Sequence, residues 1–430
     1  MKTWSPRENI AGKIEAIGRA FSEVRRFSPR SSQDSASVSA RVRDSMKSPI
    51  LLNSRPLSAS ASANLDLIRT VAAWAVMWGH LRALFFVRYS DVEHPRSWVK
   101  VFYFVTGFGH QAVIIFFVLS GFLISSSVFK SYAAGTWTWR DYAINRSVRL
   151  YVVLIPGLLF GLFWDLAGTQ WFTSTGLYSH PLQDLILTPV QNNLSFRTFV
   201  CNALFLQTIL CATFGSNVPL WSLANEFWYY VLFPTLFFSI TYFKHAIRWG
   251  IPLISVAFIV AVFLGPEKLL GFLVWLTGCA LVIISGRSPT LSLVRLIPYA
   301  FFSFSVFAVC VVAARTGSLG ALGSDLTVGF SFGLLLFAVL QIDIGTRHAA
   351  LAHSLADFSY SLYVLHFPLL LFLRAWITPS EVWRPNTLNV ILGVMLGIAV
   401  LCFAWVVSLF TEKKTRVVQA WFRDGMRGKK

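Results

Sequence analysis

The sequence predicts an all-α integral membrane protein, a bundle of about ten transmembrane helices with both termini in the cytoplasm. Three observations carry this reading. Of the 430 residues, 55% are hydrophobic and only 13% charged, a balance too apolar for a soluble chain of this length. The apolar residues come in blocks of roughly 17 to 25, each able to cross a hydrocarbon core of about 30 Å as a helix, and the short alternating segments of a β-barrel are missing. With the N-terminus inside, 27 of the 37 Lys and Arg residues fall in inner segments and 9 in outer loops, the bias that orients membrane proteins. The formal charge of +18 therefore points to the anionic-lipid side of a membrane and calls for no nucleic acid.

Residues 1–63 form a Ser- and Arg-rich basic tail that cannot bury enough apolar area to offset its ordering entropy. Within it, 10–26 has the pattern of a basic amphipathic helix on the inner membrane surface, or of a plain solvated tail. No cleavable signal precedes residue 60, so the first span, 65–87, is the topogenic one. That span carries Asp66, Arg69 and His80. At 100° per residue, Arg69 and His80 lie about 20° apart around the axis and about 16 Å apart along it, with Asp66 on the same side. Ionisable groups in a membrane face the bundle interior and pair there. An interfacial Asp66–Arg69 ion pair and an interhelical hydrogen bond from His80 are the structural alternatives. A neutral histidine at that depth can also accept a proton from a hydroxyl near pH 7.

The second span, 108–128, contains Ser120 and Gly121, small residues that suit close helix packing. The third, 146–166, opens with Arg146 and Arg149. Two cations at a helix N-terminus oppose the macrodipole unless an anion sits with them, and paired guanidinium groups suit phosphate oxygens; plain positive-inside anchoring is the alternative. The outer segment 169–220 is rich in aromatics and amides, suited to sugar recognition or to resting on the membrane surface. It holds Cys201 and Cys211, for which a disulfide is chemically allowed there. The fourth span, 224–243, places Glu226 just inside its outer end, where a carboxylate needs a polar partner. Spans 249–265, 269–286, 295–314 and 326–343 follow, the last two diluted by Ser and Gly. The ninth, 356–375, carries Ser359, Tyr363 and His366 at i, i+4 and i+7, a polar stripe. The tenth, 388–410, leads to a basic tail, 412–430, whose expected role is membrane anchoring. The five cysteines show no ligand spacing and predict no metal; His348 and His353, in an inner loop, read as surface histidines.

The order "LDLIRTVAAWAVMWGH", "IIFFVLSGFLIS", "RSVR", "LWSLANEFWYYVLFP", "FSYSLYVLHFPLL" and "FTEKK" resembles the acyltransferase-3 family of membrane acyltransferases, over about residues 64–415. The resemblance implies an acyltransferase transmembrane domain over 64–411, an acyl-CoA donor on the cytoplasmic side, acetyl-CoA foremost, and transfer to a hydroxyl of a glycan or glycolipid acceptor at the bacterial inner membrane, with membrane lipids as surroundings. The family's functional first-span histidine and arginine and its Arg-x-x-Arg pair match His80, Arg69, Arg146 and Arg149. In this scheme Arg146 and Arg149 hold the CoA phosphates, and His80 acts as general base or transient acyl carrier. Asp66 and Arg69 organise the lower cavity, Glu226 joins the catalytic set, and His366, Tyr363 and Ser120 contact the substrate or orient partners. Asn225 before Glu226 and the aromatic "FWYY" after it depart from the family pattern. No SGNH-type soluble domain follows the last span in this chain, which implies action through the membrane core alone. A transporter or translocator without CoA chemistry is the alternative; it should show inverted repeats, and no internal duplication is visible.

Overall fold

A computed structural model describes residues 57–427 apart from 183–184, 244–246, 289–290 and 343–348. The tail helix expected over 10–26 and His348 lie outside the described residues. Among these the architecture is helical, with only isolated β-bridges.

Each predicted span coincides with a helix. Helix α1 (Ala59–Phe85) starts inside the segment assigned to the tail, because Ser58 caps it by accepting from the Ala61 amide. A short helix, α2 (Ser97–Val105), precedes α3 (Gly109–Ala133). Then come α4 (Trp139–Trp171), the short α5 (Phe196–Ala203) and α6 (Leu220–Phe243). The next four are α7 (Ile247–Leu264), α8 (Pro266–Arg287), α9 (Leu293–Arg315) and α10 (Gly320–Val339). After the short α11 (Ala349–Ala356), the predicted ninth span is α12 (Ser359–Ile377), which starts three residues later than expected, and α13 (Thr387–Phe410) and α14 (Thr415–Arg427) close the chain.

By length and composition, six stretches can cross a membrane: 97–133, 139–171, 266–287, 293–315, 359–377 and 387–425. Two further apolar helices, 250–264 and 323–339, are shorter. The remaining two, α1 and α6, are long enough but carry Asp66, Arg69, His80, Asn225 and Glu226. The helices that fall short in apolarity thus bear part of the candidate site, the rest lying on α3, α4 and α12.

Cross-bundle hydrogen bonds define two ends. Asn64, early in α1, donates to the carbonyls of Val339 and Ile342 at 3.0 and 3.1 Å, and Glu412, just past α13, accepts from the Ser361 amide at the start of α12. These meet at what we call the terminal end, where α14 also lies. At the far end, the Val87 amide donates to Trp383 and the Trp383 amide to Phe85, joining the exit of α1 to the α12–α13 connection.

The axis of the bundle is α12, packed against α1, α4 and α13. Its sequence is apolar nearly all round and nearly all buried, as expected for a helix enclosed by others. The tightest crossing joins α3 to α8. A Cβ on Gly121 would lie 1.9 Å from the Trp275 carbonyl oxygen, and one on Gly278 2.0 Å from that of Val118. Backbone meets backbone there, so either glycine replaced by alanine must push the helices apart. We expect Gly278→Ala to cost about 1–3 kcal/mol, read as a lower melting temperature in detergent; an unchanged melting temperature would refute the close crossing.

Part of the 169–220 segment is built into the bundle, while Leu187, Phe196 and Leu204 stay exposed. Phe205, Gln207, Phe214 and Ser216 are fully buried or nearly so, and the segment is tied down by Cys201–Cys211. Buried Asp165 on α4 accepts from the Ser216 amide and hydroxyl at 2.8 and 2.7 Å, and Asn217 donates to the Val364 carbonyl at 2.9 Å. It forms a far-end plug over α12. Removing the cross-link by Cys201→Ser should destabilise this plug by about 2–4 kcal/mol, measurable as faster proteolysis of the 196–219 region; equal proteolysis would show the buried hydrogen bonds suffice.

Candidate active site

Two cavities open into one another at the terminal end. The wider, of about 690 Å³, is walled by Arg69 of α1, Asn145, Arg146 and Arg149 of α4, Asp357 and Tyr360 around the start of α12, Glu412 and Lys413, and Thr415, Arg416, Gln419 and Arg423 of α14. Six cations face two carboxylates. Arg69, Arg149, Tyr360 and Glu412 also line the second cavity, of about 90 Å³, which runs inward between Val113, Phe116, Phe117, Leu150 and Leu223 to Ser222, Glu226, Tyr230, Ser359 and Tyr363. A cationic vestibule thus leads into a narrow, mostly apolar tunnel.

The spacing read from the sequence accounts for the vestibule. Arg146 and Arg149 share one face of α4, and both reach it. Arg146 donates to Ser127 Oγ at 3.0 Å and stacks over the Tyr142 ring, while its Nε is buried without a partner. Arg149 has no hydrogen bond or ion pair among the described residues and stands open to the cavity. Arg69 is held by Asp66 at 3.1 Å and by the Ala356 carbonyl at 3.0 Å, again leaving Nε unpartnered. Asp66 itself lines neither cavity. It is bonded on its other oxygen by His353 of α11, so this histidine, half exposed, braces the ion pair rather than standing alone at the surface.

Glu226 sits in the tunnel wall, accepting from Ser120 Oγ at 2.8 Å and from the Tyr230 hydroxyl. Trp275 Nε1 donates to Ser120 Oγ at 3.2 Å. The packing role expected of the Ser120–Gly121 pair is divided: Gly121 makes the crossing, and Ser120 orients the carboxylate. Tyr363 ends the tunnel, its hydroxyl bonded to Ser222 at 2.6 Å and to the Pro219 carbonyl at 3.1 Å.

Beyond this layer lie His80 and His366, lining neither cavity. The Tyr363 and His366 ring centroids are 6.1 Å apart. His80 Nδ1 and His366 Nε2 are 2.8 Å apart, with the rings stacked, and His366 Nδ1 is 2.9 Å from the Leu362 carbonyl. A carbonyl only accepts, so His366 must carry its proton on Nδ1 and, when neutral, offers a lone pair at Nε2. His80 then donates through Nδ1, and its own Nε2 is left as a free acceptor. His366 is fully buried whereas His80 is partly open. The pair is built so that only His80 offers a basic nitrogen.

Ser359 and Tyr363 therefore line the tunnel, and His366, further along α12, lies beyond it in the histidine pair. Sequence reasoning missed Tyr230 as the partner of Glu226, Glu412 as the carboxylate under the arginines, and the cations of α14. Glu412 had a signal, since it lies in the motif "FTEKK". Among the described residues no group of three or more His, Cys, Asp or Glu could hold a metal ion.

The helical bundle thus carries a cationic vestibule at one end, a narrow tunnel and a histidine pair beyond it. The family model for the acyltransferase domain of acyltransferase family 3 matches residues 62–409, and the chain belongs to this family of membrane acyltransferases. No curated protein and no solved structure matches the chain.

Proposed function

We propose that the protein moves an acyl group, acetyl first of all, from cytoplasmic acyl-CoA to a hydroxyl of a cell-envelope or secreted glycan at the bacterial inner membrane. The observation that carries this reading is the junction of the two cavities. A polyanionic nucleotide suits the vestibule, where Arg149 stands exposed without a hydrogen bond or ion pair beside five further cations, and the thin pantetheine arm, with its two amides, suits a tunnel whose apolar walls also carry Ser222, Tyr230 and Tyr363. The terminal end is then cytoplasmic, in keeping with the distribution of Lys and Arg, and the Cys201–Cys211 disulfide lies on the oxidising side.

In this mechanism Arg146 and Arg149 bind the donor phosphates. Arg69 lies about 16 Å along α1 from His80, so it serves the phosphate end of the donor rather than the reacting carbonyl, and Asp66 and His353 hold it there. The acceptor reaches His80 from the far side. His80 Nε2 takes the proton of the acceptor hydroxyl as its oxygen attacks the thioester carbonyl carbon. Negative charge gathers on the carbonyl oxygen in the tetrahedral intermediate; the C–S bond then breaks and the CoA sulfur receives the proton from His80. Tyr363 and Phe116 lie where the thioester enters, and Glu226 with Tyr230 fixes the tunnel wall beside it.

The decisive assay is transfer of labelled acetyl from acetyl-CoA to envelope glycan in purified inner membranes. Transfer that depends on the protein supports the reading; no transfer from any acyl-CoA would overturn it and favour translocation. The tunnel is much the narrower cavity, about 90 Å³ against about 690 Å³ for the vestibule, so acetyl-CoA should be used well above donors with long acyl chains. Equal use of a decanoyl donor in competition would refute the assignment of the tunnel.

A further inference from the structure

The sequence reading of residues 412–430 as an anchor leaves their positions in the fold unexplained. Helix α14 turns back against α4 instead of leaving the bundle: Gln419 Nε2 donates to the Asn145 carbonyl at 3.1 Å, and Arg423 donates to Asn145 Oδ1 at 2.5 Å. Arg416, Gln419 and Arg423, at i, i+3 and i+7, share one face, which forms a wall of the vestibule. Val417 and Trp421 point away and are 65% and 69% exposed, as a lipid-facing surface would be. The Arg423 Nε is buried without a partner. The family match stops at residue 409, so this wall is added by the chain outside the matched domain.

We propose that α14 is a phosphate-binding clasp that completes the donor site, with Arg416 and Arg423 taking phosphate oxygens of the nucleotide end while Arg146 and Arg149 hold it from the adjoining wall. The inference rests on the acyl-CoA reading above. With Arg69 paired to Asp66, the five other vestibule cations against two carboxylates leave a surplus of three positive charges, which a ligand with several phosphates neutralises. Asn145 sets the register of the clasp by binding the helix at two points one turn apart. Arg423 keeps donors free for a ligand after making that bond, since a guanidinium has five.

The same chemistry would recognise the phosphate of an anionic lipid, so the test separates the two. CoA binding is measured by calorimetry on the full chain in nanodiscs of phosphatidylcholine alone, and again with phosphatidylglycerol added. The parent is compared with R416A/R423A and with R416K/R423K. The clasp predicts CoA binding in phosphatidylcholine, weakened about tenfold or more by the alanine pair and partly restored by the lysine pair. Binding of 4′-phosphopantetheine, which lacks the nucleotide, should change by less than about twofold between parent and alanine pair. If the parent binds CoA and the alanine pair binds it equally well, the clasp is refuted and the donor reading stands. If phosphatidylglycerol displaces CoA from the parent but not from the alanine pair, α14 holds a lipid headgroup and the inference falls. Failure of the parent to bind CoA in either nanodisc would overturn the donor reading itself.

Discussion

His80→Ala is expected to lower acyl transfer by about 10²–10⁴-fold, the range removed with a general base, while leaving acyl-CoA affinity within about twofold. The split follows from the layout. His80 lines neither cavity and stands beyond Tyr363, so its loss affects the proton and not the donor. His366→Ala should cost less, because His80 keeps a basic nitrogen but loses the acceptor that fixes its tautomer at 2.8 Å. The double variant should be no slower than His80→Ala alone, since residues acting as one unit are strongly non-additive. Rates at matched expression, with circular dichroism to confirm folding, decide the matter. A His80→Ala enzyme with full activity would remove the histidine from the chemistry and leave the pair as an interhelical hydrogen bond.

The parts of this site that were legible in the sequence are those set by helical spacing. Arg69 and His80 on one stripe of α1 at i and i+11, Arg146 with Arg149 at i and i+3, and Ser359, Tyr363 and His366 along α12 at i, i+4 and i+7 all share a face by helical periodicity. The polar groups were conspicuous because a lipid-facing helix has no use for them. What spacing does not encode is which helix sits opposite. The Tyr230–Glu226–Ser120–Trp275 chain joins α6, α3 and α8, and the pairing of Asp66 with His353 spans 287 positions. Burial in the 169–220 segment is hidden for the same reason: Gln207 and Asn217 are buried because backbone carbonyls of Leu220 and Val364 meet them. Likewise the charges of 412–430 predict anchoring whether α14 lies on the bilayer or folds back on α4.

The second large effect concerns the arginine pair. Arg146→Ala with Arg149→Ala should raise KM for acetyl-CoA by at least about 100-fold, taking each charge-assisted bond as about 1.5–3 kcal/mol, with kcat recovering at saturating donor. The two guanidinium groups face the vestibule beside Arg69, which lies about 16 Å along α1 from His80, so they contribute binding equally to ground and transition states, which shows in KM alone. Positive-inside anchoring predicts a different outcome, namely misinserted protein with unchanged kinetics in the correctly inserted fraction. The lysine pair separates these accounts. Arg146→Lys with Arg149→Lys keeps both charges, so anchoring and topology persist, but an ammonium cannot make the planar bidentate contact with phosphate. If the arginines bind the donor, the lysine enzyme inserts normally and still shows a KM raised about tenfold, more so as ionic strength rises and screens the remaining point charges. If KM is that of the parent in the lysine enzyme and insertion fails only in the alanine enzyme, the pair orients the protein in the membrane, and the donor phosphates must find other cations in the vestibule.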